Sequence, residues 1–181
     1  MNKIFRCGLL CIVFFAFGII ANAQDELDAS YTGKIETKYD QGKNESEITL
    51  GFVPLSIDKG KKALLHLSVS FAGKNMKEKP DSVTVVVSVI NAKGHRYPDI
   101  NPVVLNSGGK EIGRKILLNL DQRALSESDI VETFGTAMKK EVFRKLAASK
   151  QAILFKVAET TFTIGSEYIS KLAEFEKTFN P

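Results

Sequence analysis

His66 and His95 are the only two histidines in the 181 residues, so any acid–base chemistry near neutral pH rests on them. His95 sits in the stretch Lys93-Gly94-His95-Arg96-Tyr97-Pro98-Asp99. That stretch places a base, a cation, a phenol and a carboxylate together in a loop, and loops on a rigid scaffold are where catalytic and binding groups concentrate. His95 with Asp99, joined by a serine or a further carboxylate brought near by the fold, would make a hydrolase-type site. The plainer reading is a solvated turn whose Gly94 and Pro98 set the backbone. His66 lies between Leu65 and Leu67 and shares a face with Ser68 and Ser70, which directs it toward solvent or a polar seam. No residue is assigned as catalytic on sequence grounds; His95 and Asp99 are the candidates.

Other chemistries lack their parts. The patterns HExxH, GxSxG, GxxxxGK[ST] and GxGxxG are absent. No spacing of histidines and carboxylates suggests a zinc site, so neither a metal nor a cofactor is expected. Ser107-Gly108-Gly109-Lys110 has the composition of a phosphate loop, but its glycines lie between two β-like segments and no helix N-terminus would face an anion. Lys139, Lys140, Arg144, Lys145 and Lys150 form a basic cluster with Glu141 as local counter-charge. On a helix, Lys140 and Arg144 are i, i+4 neighbours opposite Val142, Phe143 and Leu146. Lys140, Arg144 and Lys145 are therefore the candidate binding patch for an anionic envelope surface or a protein partner, set against the reading of an ordinary solvated face. Aromatic residues do not interleave with these charges, so nucleic acid is not an expected partner.

The elements that carry these residues belong to a chain that is 44% hydrophobic and 25% charged, ordinary for a globular protein. Residues 1–23 have the layout of a secretory signal peptide: Lys3 and Arg6, then the apolar run GLLCIVFFAFGIIA, then Ala21-Asn22-Ala23 as the cleavage pattern. The run is shorter than the ~20 residues that span a bilayer as a helix, so no membrane span is expected after cleavage following Ala23. Cleavage removes both cysteines, Cys7 and Cys11, and brings the formal net charge from +4 to +2. The expected location is the periplasm or the extracellular space. Residues 24–29 (QDELDA) read as a loose acidic leader, and residues 30–181 as a single β-rich domain.

Within that domain, period-two alternation marks strands over residues 31–39, 48–52, 63–71 and 82–90, with Pro54 ending the second or marking an edge. Residues 103–105 and 116–120 flank Gly108-Gly109 like the arms of a hairpin. Residues 130–134 fit a strand or the start of a helix. Met138, Val142, Phe143, Leu146 and Ala147 predict a helix over 138–149. Residues 152–157 and 160–164 read as a short hairpin, and Ser166 as the cap of a helix over 166–179 with Tyr168, Leu172, Phe175 and Phe179 on one stripe. The expected fold is mainly β: a β-sandwich of about seven strands followed by a helix–hairpin–helix tail, α+β overall. The expected function is non-enzymatic binding or an accessory role in the cell envelope or outside the cell. The alternatives are the hydrolase-type site at His95 and Asp99, or a carrier of an apolar ligand held between sheet and tail. Intact mass measurement of the exported protein should give a chain beginning at Gln24 with no thiol; a species retaining residues 1–23 overturns the export reading.

Overall fold

The computed structural model describes residues 33–180, so the signal peptide and acidic leader expected for residues 1–29 lie outside them. Among the described residues the order is β1 (Ile35–Asp40), β2 (Glu45–Ile57), β3 (Lys62–Ala72), β4 (Ser82–Ala92), β5 (Ile100–Ser107), β6 (Lys110–Ala124), β7 (Asp129–Lys139), α1 (Lys140–Ala147), β8 (Ile153–Val157), β9 (Thr160–Ile164) and α2 (Ser166–Phe179). Strands pair in the order β2-β3-β4-β7-β6-β5-β8-β9, and β9 returns to β2 through Ser56↔Thr163 and Ile57↔Phe162. Every pairing is antiparallel, and eight strands close into a barrel; β1 anneals outside the ring to the first half of β2.

The sandwich of about seven strands is thus corrected to an eight-stranded barrel. The physical reason lies in the hairpin of the tail. It is not an appendage but two staves of the wall, β8 joined to β5 at Asn106↔Leu154 and Ser107↔Ile153, and β9 joined to β2. Two stacked sheets would leave four edges of unpaired N–H and C=O groups, and closure removes them.

Alternation decides what fills the interior. Leu65, Leu67 and Val69 of β3 and Val83, Val85, Val87 and Val89 of β4 point inward and are buried, facing Ile153, Phe155, Phe162 and Ile164 across the barrel. β2 does not end at Pro54. A register shift between Leu50 and Val53 inserts an extra residue, so Val53 and Leu55 turn inward where uninterrupted alternation would have put Phe52. Asp58 donates its N–H to the Thr161 carbonyl, so even-numbered residues of this half of β2 face β9. Pro54 therefore lacks its donor on the side between β1 and β9, where no partner asks for one.

One barrel end is capped by the helices. Met138, expected on a helix, is the last inward residue of β7; Lys139 keeps extended backbone (φ −56°, ψ 141°) and α1 begins at Lys140. Gly165 rather than Ser166 occupies the N-cap position of α2. The Phe175 ring meets Phe143 edge-on at 5.9 Å and Phe179 at 5.3 Å, all three fully buried. Phe143, Leu146 and Leu172 close over the barrel interior, leaving an apolar cavity of about 30 Å³. Truncating a buried Phe costs ~3–5 kcal/mol once the cavity is counted. Phe175→Ala should therefore lower the urea midpoint severely, whereas Lys171→Ala, whose exposed pair with Glu174 is worth ~0–1 kcal/mol, should be nearly silent. Equal midpoints for Phe175→Ala and wild type would mean the helix is not part of the core.

Candidate functional site

The opposite end of the barrel is closed by the loop between β4 and β5, and the group that holds this loop is a buried carboxylate. Glu132 is on β7, opposite Val89 of β4 and Gln122 of β6, and it is fully inaccessible. Its Oε1 accepts the Tyr97 N–H at 2.9 Å. Its Oε2 accepts from Asn91 Nδ2 at 3.2 Å and faces His95 Nδ1 at the same distance. A carboxylate buried without partners would cost several kcal/mol, and this one is surrounded by donors drawn from a single loop and its entry.

The loop in turn lowers Tyr97 into the barrel mouth. The side chain is fully buried, its ring meets Phe134 edge-on at 5.0 Å, and its hydroxyl donates to Thr160 Oγ1 at 2.8 Å, at the turn between β8 and β9. Burial pushes the Tyr97 hydroxyl pKa up, opposed by the hydrogen bond with Thr160. Beside it, Asp58 Oδ1 accepts the Thr161 N–H at 2.7 Å, and this bond holds the Asp58 carboxyl below the usual range.

His95 stands half out of this network. Its ring lies edge-on to Tyr97 at 4.4 Å, and its side chain is 42% exposed. A carboxylate–imidazole contact with one ring nitrogen left over is the orienting half of a general-base arrangement. The other half is missing: no hydroxyl is hydrogen-bonded to the ring among the described residues, and no group of three or more His, Cys, Asp or Glu there could hold a metal ion. The arrangement does one thing completely, which is to fix the loop and its tyrosine plug.

The residues singled out from sequence fall in different places. The carboxylate that meets His95 is Glu132, not Asp99, which is exposed and pairs with Arg96 at 3.4 Å. The signal for Glu132 was present in Ile130-Val131-Glu132-Thr133-Phe134: a lone acid on the inward row of an apolar strand. His66 projects outward from β3 beside Phe52, ring centroids 5.7 Å apart, with Nδ1 buried and unpartnered. Burial, aided by the charge of Lys38, pushes its pKa down to about 4, so the ring is neutral at pH 7. Of the basic patch, Lys145 is exposed, Lys140 is half-buried, and Arg144 reaches Glu176 of α2 at 3.4 Å. Arg144 thus tethers one helix to the other. The carrier reading meets an interior already filled by side chains, since a cavity of about 30 Å³ has room for little more than a water.

Compared with protein-family models, with curated proteins and with solved structures, the chain matches none.

Glu132→Ala should lose about 2–4 kcal/mol, because Tyr97 N–H and Asn91 Nδ2 are left buried without acceptors. Asp99→Ala should change stability by no more than ~0.5 kcal/mol. Urea melts of the two variants measure the difference; equal midpoints would mean that Glu132 does not hold the plug.

Proposed function

We propose that the protein is an exported binding module of the cell envelope or extracellular space, acting without catalysis, and that its working surface is the outer face of β5, β6 and β8. The observation that carries this reading is the gathering of apolar side chains there. Asn101, Val103 and Leu105 of β5 are buried, so Ile100, Pro102 and Val104 point outward. Directly across, Leu118 pairs with Ile100 and Ile116 with Pro102. Leu154 of β8 adjoins them through its pairing with Asn106. Among the described residues six large hydrophobic side chains are exposed; five of these (Ile100, Val104, Ile116, Leu118 and Leu154) lie on this face and one, Tyr39, lies elsewhere.

Scattered exposed apolar residues need no explanation, but a contiguous set on one face marks an interaction surface. An apolar face of this kind favours a protein partner over an anionic surface. Among the described residues no nucleophile stands beside His95, and this, with the role of Glu132 in holding the loop, supports binding over hydrolysis. A photo-crosslinking residue at position 116 should capture one predominant protein in the cell that makes this chain, and the same residue at position 39 should not. Equal labelling from both positions, or none from 116, would remove the basis for this reading.

A further inference from the structure

One strand stands outside the ring. β1 pairs with β2 and with no other strand among the described residues, so its far edge is open. The ladders fix which main-chain groups line that edge. Gly73 donates its N–H to the Asn44 carbonyl at 2.7 Å, so even-numbered residues of this half of β2 face β3 and odd-numbered ones face β1. Gly51 accordingly donates to the Lys34 carbonyl at 2.8 Å, and the register continues through Glu36↔Thr49 and Lys38↔Glu47. The even-numbered residues of β1 are thus engaged by β2, while the N–H and C=O groups of Ile35, Thr37 and Tyr39 point away from it. Among the described residues no backbone group from another element meets them, and Thr37 and Tyr39 are exposed.

Open edges invite indiscriminate pairing, and short length with charged side chains is the usual defence. β1 has both, yet its charges follow a mirror pattern. Outward from Thr37, Glu36 is matched by Lys38, Ile35 by Tyr39 and Lys34 by Asp40. An antiparallel second copy centred on Thr37 therefore sets Glu36 against Lys38 of the second copy and Lys34 against its Asp40, each twice across a two-fold axis. The same centre sets Thr37 opposite Thr37 and Ile35 opposite Tyr39, the residues whose main-chain groups are open. Sliding the copies by two residues, the smallest step that keeps those groups in line, brings Glu36 onto Glu36 in one direction and Lys38 onto Lys38 in the other. Within one chain Glu36 lies 2.8 Å from Lys34 and 3.7 Å from Lys38, whose side chains are 57% and 62% exposed. Contacts so exposed hold little and can be shared with a neighbour.

We infer that β1 is a self-recognition edge, through which two copies of this chain join antiparallel about Thr37 into one continuous sheet. The inference is independent of the outer face of β5, β6 and β8. Any extended segment could satisfy the main chain here, but the match of charge on both sides of Thr37 specifies this chain's own sequence. A single strand pair buries less than the ~1,200 Å² of ordinary stable complexes, so a dissociation constant on the order of 0.1 mM is expected. At the lower concentrations of a cell the chain is then a single copy, which leaves position 39 silent there.

Sedimentation equilibrium of the purified protein should show single copies giving way to dimers as concentration passes about 0.1 mM. Over the same range the amides of Ile35, Thr37 and Tyr39 should exchange with solvent about tenfold more slowly by nuclear magnetic resonance, while those of Glu36 and Lys38, already bonded to β2, stay unchanged. Glu36→Lys and Lys38→Glu should each weaken self-association about tenfold, because like charges then face each other twice. Mixed in equal amounts, the two variants should associate within about twofold of wild type, since every facing pair is again of opposite sign. Thr37→Pro removes the central donor and should abolish dimers, with an unfolding midpoint close to that of wild type because that N–H lies on the open edge. If Thr37→Pro does not fold, the mixed charge variants decide. Single copies persisting to ~1 mM overturn the inference. So does a mixture of the charge variants that associates no better than either alone. Dimers that leave the three amides unprotected and shift Ile116 and Leu118 instead would assign the contact to the outer face of β5 and β6, and overturn it as well.

Discussion

A curled antiparallel sheet has two outer edges, and each unpaired N–H or C=O along them must reach water or a partner. In this molecule the edges belong to β2 and β5, and one short hairpin is laid between them. The ladders that join it are brief, two residue pairs to β2 and two to β5. What gives the hairpin its hold is therefore side-chain burial: Ile153, Phe155 and Val157 on one strand and Phe162 and Ile164 on the other, with Phe155 and Phe162 stacked at 5.1 Å. Apolar burial is non-directional and can sustain a join that hydrogen bonds alone would not.

Closure leaves two open ends, and the chain fills them by unlike means. At one end the cover is aromatic, with Phe143, Phe175 and Phe179 brought by two helices. At the other it is polar at the rim and aromatic beneath, with Glu132 gripping the backbone of a loop that inserts Tyr97. The second solution carries more risk for stability, since a buried acid is tolerated only while its donors stay in place. It also fixes one loop geometry where a purely apolar plug could slide, and that is a reason for such a cluster to exist without catalysis.

Much of the architecture was legible in the residues. Alternation gave the inward rows of β3 and β4, and the spacing of Leu172, Phe175 and Phe179 gave the buried stripe of α2. Alternation failed where the backbone breaks its own period: the shift after Leu50 sends Phe52 outward to His66. It also could not show which edges meet, because faces are a local property and pairing is not. The hairpin of residues 153–164 was recognisable as a hairpin and silent about the sheet it completes. At the candidate site the loop around His95 was visible, but its carboxylate partner came from Glu132, 37 positions away. Asp99, the neighbour in sequence, turned to Arg96 instead.

The seam between β2 and β9 has a kinetic side. Asp58 and Thr161, which clasp across it, are 103 positions apart. Loop-closure entropy must be met before so distant a contact returns anything, which makes folds of this connectivity slow to form. A ribosome delivers β9 about a hundred residues after β2, so until β9 emerges the growing chain cannot complete its ring. In that interval the edge of β2 is open to any other strand, which is a hazard at high concentration. It is also a delay, and for a chain proposed to leave the cytoplasm as a thread, a fold that waits for a strand so far along keeps the thread passable.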